Sequence, residues 1–131
     1  MTSRATGTFA IDTWDQQPYD ERDGVSLSRT RVTKTFRGDF EGTSTAELLM
    51  ASAPNDSAAY VGFERITGRL QGRAGSFVLH HNAAMSAGTR SASWTILPES
   101  GTGELTGLHG EAKIVVEPDG GHTFILDYEL D

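Results

Sequence analysis

Four side chains capable of acid–base or hydrogen-bond chemistry stand on runs that otherwise read as the inside of a sheet. His81 follows Phe77 and Leu79 at a spacing of two, so all three share one face of a strand. Trp94 carries an indole N–H between Ala92 and Ile96, and Tyr128 a phenol between Leu126 and Leu130. Glu64, in Tyr60-Val-Gly-Phe-Glu-Arg-Ile66, fits either parity. Singly, each such residue is most often a core residue satisfied by one hydrogen bond. Together they describe an apolar cavity with a polar end, the usual form of a small-molecule site. Glu64 and His81 are the candidate catalytic pair, because a carboxylate beside an imidazole can move a proton. Trp94 and Tyr128 are the candidate ligand contacts. A buried carboxylate is costly unless paired, and the His81 imidazole and the Tyr128 hydroxyl are the partners to hand. Burial would raise the Glu64 pKa and a protonated His81 would lower it.

Other chemistries find little support. His80 and His81 are adjacent, so on one strand they point to opposite faces and cannot share a metal. His109 and His122 fall at strand ends, and there is no H-x-x-x-H helix or cysteine to complete a site, so no metal and no cofactor is expected. Gly101-Thr-Gly103-Glu-Leu-Thr-Gly107 lacks the strand before and helix after that a dinucleotide fingerprint needs, and reads as a loop with a bulge. No G-x-S-x-G elbow is present. The net charge of −7 argues against nucleic acid and anionic membranes as partners. The densest basic stretch, Arg29-Thr-Arg31-Val-Thr-Lys34, reads as a solvated strand. The first residues lack the apolar core of a secretory signal, and no run reaches the ~20 apolar residues of a membrane helix. A soluble, cytoplasmic protein is the expectation.

The elements that must position these residues are strands. The 131 residues fit one domain, 1–131, and the 15 glycines with frequent Ser and Thr favour tight turns. Residues 121–130 alternate with Phe124, Leu126, Tyr128 and Leu130 on one face. Residues 111–117 place Ala112, Ile114 and Val116 together, and Pro118-Asp-Gly-Gly121 joins the two runs as a hairpin. Similar runs lie at 6–14, 58–70, 75–82 and 91–97. Residues 24–36 read as a long strand, bulged where apolar parity changes between Leu27 and Val32. Thr45–Ala51 reads as strand, with one helical turn as the alternative, and a short turn is placed near 20–23. About eight strands with short connections must be antiparallel. They close into a barrel or pack as a sandwich.

The stretch Ala59-Tyr-Val-Gly-Phe-Glu-Arg-Ile-Thr-Gly-Arg-Leu-Gln-Gly-Arg-Ala-Gly-Ser-Phe-Val-Leu-His-His81, with Trp94, Gly101–Gly107 and the ending Phe-Ile-Leu-Asp-Tyr-Glu-Leu, resembles a bacterial domain-of-unknown-function family. Its members are small barrels similar in fold to allene oxide cyclase, and the resemblance runs from about Gly38 onward. It implies an all-β, eight-stranded antiparallel closed barrel, a meander. Glu64 and His81 match positions characteristic of that family, whereas His80 stands where similar sequences carry glutamine. Related barrel shapes, among them allene oxide cyclases, dirigent proteins and polyketide cyclases, hold a reactive apolar substrate and steer its ring closure or coupling. The resemblance thus implies a small apolar molecule in the lumen and a cofactor-independent cyclase or isomerase; a non-catalytic carrier or sensor is the alternative. With those faces inward, Val78, Leu97, Val115 and Ile125 point outward, and a patch of them predicts a homodimer.

Overall fold

Two-residue turns organise the chain. Asp23-Gly24, Gln71-Gly72 and Ala87-Gly88 each have positive φ at both positions (53° and 82°, 49° and 88°, 51° and 82°). This is the type I′ geometry, whose twist matches the strands it joins. The computed structural model describes residues 2–130. Its strands are β1 (Ser3–Arg22), β2 (Val25–Gly38), β3 (Phe40–Ala53), β4 (Ser57–Leu70), β5 (Arg73–Ser86), β6 (Thr89–Ile96), β7 (His109–Val116) and β8 (His122–Glu129). All neighbours are antiparallel, and the sheet closes in chain order as an eight-stranded barrel. The closing seam pairs Ser3 to Phe9 of β1 with Tyr128 to His122 of β8. The single helical element is a 3-10 turn at Gly103–Leu105, so no described helix is long and apolar enough to cross a membrane. Thr45–Ala51 lies within β3, as its strand reading requires.

Alternation assigns the two faces of each strand. On β2, Ser28, Thr30, Val32, Lys34 and Phe36 are all buried, in unbroken period two. The change of apolar parity near Leu27 is therefore no bulge in β2: polar residues simply take inward positions there. The irregularities are on β1, where the register with β2 skips Asp12 and Tyr19. Asp20 to Arg22 are strand, and the turn expected near 20–23 lies at its end, at Asp23-Gly24. The basic stretch also divides: Arg29 and Arg31 are exposed, but Lys34 points inward and is only 7% exposed.

One end of the barrel is packed solid. Phe36 meets Phe40 and Phe124 edge to face at 5.5 and 5.2 Å, and Phe40 meets Phe77 at 5.9 Å. Ile66, Leu70, Leu79, Ile96 and Leu126 fill the space between. Gly101–Gly107 is a loop as expected; it lies in the 97–108 connection, which runs beside β5, with Thr102 N–H donating to the Ser76 carbonyl at 2.9 Å. It buries Leu105 and Leu108 completely in the core as a plug. Gly75 makes this approach possible, since a Cβ there would lie 2.1 Å from the Thr102 carbonyl oxygen.

The other end is open. β6 and β7 pair only through Trp94–Ala112 and Thr95–Glu111, so the first half of β6 has no partner on that side. β8 begins opposite Phe9, and β1 continues past it to Arg22. The short β7–β8 hairpin thus leaves a notch in the wall. Outside, Leu97 and Val115 are each 42% exposed, and Val78 and Ile125 are half-buried. Phe63 also faces out, stacked on His80 at 5.2 Å, so His80 and His81 do point to opposite faces.

Candidate functional site: a charged floor beneath an open lumen

The site begins with the inward parity of β4. Glu64 stands opposite Ala46 on β3 and Leu79 on β5, in the middle of the barrel wall, and is 1% exposed. Ser44 and His81 are its diagonal neighbours on the two flanking strands, and Lys34 reaches it from one strand further away. His81, two residues beyond Leu79, brings Nε2 to 2.7 Å of Glu64 Oε1. Gly62 lies opposite His81 and has no side chain to stand in the way. Ser44 donates its hydroxyl to Oε2 at 2.5 Å. Lys34 reaches Oε1 from β2 at 3.2 Å, its ammonium 4.5 Å from the centre of the Phe9 ring. Lys34 was hidden by its setting in a basic stretch, yet it shares its parity with Val32 and Phe36, a signal the sequence does carry. Ser44 offers no such signal.

Burial by itself would push the Glu64 carboxyl up. The His81 hydrogen bond, the Lys34 and His81 charges and the Ser44 hydroxyl outweigh it and hold the group down at about 2. Glu64 is therefore a carboxylate at neutral pH. A carboxylate only accepts, so the proton in its bond to His81 resides on Nε2. In the neutral ring this leaves Nδ1 as a lone-pair acceptor. Among the described residues no hydrogen-bond partner meets that Nδ1.

Above this floor lies a cavity of about 520 Å³, running out through the notch. Val32, Leu48, Met50 and Ile114 give it apolar walls; Lys34 and His81 supply polar groups at its base. Trp94, opposite His81 across β5–β6, lines it too. The Trp94 indole N–H is buried and makes no hydrogen bond of good geometry, although it leans toward the Tyr60 hydroxyl. Burial raises the Tyr60 pKa, an effect that Trp94 opposes and the Glu64 charge reinforces. His122, stacked on Phe9 at 4.8 Å, and Trp14 stand further out along the lumen.

Of the four residues expected to share one cavity, His81 and Trp94 do so. Glu64 sits behind His81 and does not line the lumen; it can act only through the imidazole. Tyr128 points inward as its alternation requires, but at the packed end, where its hydroxyl donates to the Gln71 side chain. It does not line the cavity. Among the described residues no cluster of histidine and carboxylate groups could hold a metal.

A family model described as a protein of unknown function (DUF3224) matches residues 5–128. The chain is 36% identical to a protein of unknown function from the DUF3224 family of Shewanella oneidensis MR-1. That crystal structure, at 1.84 Å resolution, matches 100% of this chain and 98% of its own, with a TM-score of 0.87. No curated protein matches the chain.

Proposed function

The chain belongs to the DUF3224 family of proteins of unknown function, and from the site itself we propose that it binds a small, largely apolar molecule in the open half of its barrel. The observation that carries this reading is the 520 Å³ lumen whose base holds an unpartnered imidazole nitrogen. An eight-stranded barrel is either filled by its side chains or has room for one small ligand, and this half is not filled. His81 is the reacting group in this reading, and Glu64 is a positioning residue that fixes its tautomer and orientation. An imidazole so held can take a proton from a bound molecule and return it elsewhere, the chemistry of an isomerisation or of a ring closure. The apolar walls would hold a flexible chain in the folded conformation such a closure needs, with no cofactor. In this sense the barrel is allene-oxide-cyclase-like. A carrier that binds without converting is the second reading, favoured by the complete satisfaction of the Glu64 oxygens, which leaves no free carboxylate in the lumen.

Both tryptophans of the chain, Trp14 and Trp94, line the cavity, so binding should report itself in their fluorescence. Titration with a short alkylbenzene series should shift the emission saturably. Ala83→Phe, which adds a ring to the lumen wall, should weaken binding by about tenfold or more. An emission unchanged by every member would end the proposal. With a converted molecule in hand, His81→Phe should lower turnover by about a hundredfold at unchanged far-UV circular dichroism; binding without turnover in the wild type would select the carrier.

A further inference from the structure

Two residues that line the lumen each carry a buried polar atom with no hydrogen bond of good geometry, and the two atoms are of opposite kind. In the neutral ring His81 Nδ1 is an acceptor, because Glu64 then fixes the one ring proton on Nε2. Trp94 Nε1–H is a donor. The two residues are cross-strand partners on β5 and β6, on the same inward face, and both line the cavity. Such partners have Cβ atoms about 5 Å apart. Buried donors and acceptors left without partners are rare, and each calls for an explanation.

We infer that this acceptor–donor pair is a head-group site for a hydroxyl, so that the molecule bound in the lumen is an apolar phenol, enol or alcohol. This rests on the lumen-binding reading above and adds the substrate class. A hydroxyl donates its hydrogen to His81 Nδ1 and accepts from Trp94 Nε1–H through one oxygen. A ketone or an ether satisfies the indole and leaves the imidazole bare. A hydrocarbon satisfies neither. A carboxylate only accepts and brings a charge, while Lys34 and Glu64 cancel each other at the floor. The same contact gives the site its chemistry. Nδ1 can take the hydroxyl proton while Nε2–H remains on Glu64, leaving an oxyanion that keeps the indole hydrogen bond. The proton returns to product from the same nitrogen, so no co-reactant is required.

The test is a matched set measured by titration calorimetry on the wild-type protein: para-butylphenol, its methyl ether, butylbenzene and para-butylbenzoate. The phenol should bind about tenfold or more tightly than the ether, and the benzoate most weakly. In His81→Phe the ether should retain its affinity within about threefold while the advantage of the phenol collapses; in Trp94→Phe, which removes the hydrogen bond both ligands accept, phenol and ether should weaken together. Equal binding of phenol, ether and hydrocarbon would overturn the head-group site and leave the apolar lumen standing. Tightest binding of the benzoate would overturn it as well. An advantage for the phenol that persists in folded His81→Phe would place the head group elsewhere. Binding of none would remove the lumen reading and this inference together. Should either variant fail to fold, the wild-type series decides alone.

Discussion

Glu64→Gln should cost the fold about 3–5 kcal/mol, because it strands a buried cation. Lys34 is 7% exposed, and the Glu64 carboxylate is the anion it meets, at 3.2 Å. Glutamine keeps the length and a carbonyl acceptor but removes the countercharge, so Lys34 must carry its charge unpaired or give up its proton. Urea unfolding should show the loss as a lowered midpoint at unchanged slope. The double variant Lys34→Met with Glu64→Leu should recover a large part of it, since neither charge is then left alone. A single Glu64→Gln within 1 kcal/mol of wild type on the order of experimental error would show that the cluster is not held by its charges. The same carboxylate makes stability depend on pH. Its pKa is about 2 in the fold against an ordinary 4.5, so its contribution is whole above 4.5 and disappears as pH falls toward 2. The difference between wild type and Glu64→Gln should therefore shrink across that window, by about 3 kcal/mol in total. A difference constant from pH 5 to pH 2, roughly the span of a carboxylate titration, would contradict the paired state.

Phe77→Ala should be as costly, by a different route, and should spare the lumen. Phe77 is fully buried, edge to face with Phe40, in the packed half that Leu105 and Leu108 close. Removing a phenyl ring from such a place costs about 3–5 kcal/mol in lost transfer energy and residual cavity. The vacancy opens below the Lys34–Glu64–His81 layer, whereas the ligand cavity lies above it. Binding of para-butylphenol at a temperature where the variant is folded should change less than about threefold. Loss of binding with the fold intact would show that the two halves are not independent.

How much of this was legible in the sequence differs strand by strand. β8 and the second half of β4 bury one face against a continuous core, so their alternation is clear, while β7 alternates in residue type although only Ala112 is buried. β1 was read only to Trp14 because its outer half projects past β8 and is exposed on both faces, which erases the pattern. The bulges at Asp12 and Tyr19 then break what parity remains. For the site, alternation separates inside from outside and says nothing of height along the barrel. Tyr128 and Trp94 both point inward, but register puts one beside Gln71 at the packed end and the other opposite His81. Lys34 is masked by the basic stretch around it, although it shares its parity with Val32 and Phe36. Ser44 could not have been found, since serine fits either face and only the diagonal across β3–β4 brings it to Glu64.

The way the barrel closes also shapes how it must fold. Seven of its eight seams join strands consecutive in the chain, six of them across short turns from which they can zip up and one, β6–β7, across the 97–108 loop. The eighth brings Arg4 to Asp127, 123 residues away. Closing a loop costs entropy that rises with its length, about 1.5RT ln n for n residues, so this seam is reached after the local hairpins exist. The state before it is a curled open meander with the edges of β1 and β8 bare. Bare edges are templates for pairing with a second chain. Arg4 and Asp127 stand on those two edges, exposed in the closed barrel and bonded to each other at 2.7 and 3.0 Å. While the seam is open they are charges on bare edges that discourage a stranger; once it shuts they face each other. An exposed pair of this kind adds little to final stability, so its weight falls on the route, keeping the slowest step intramolecular.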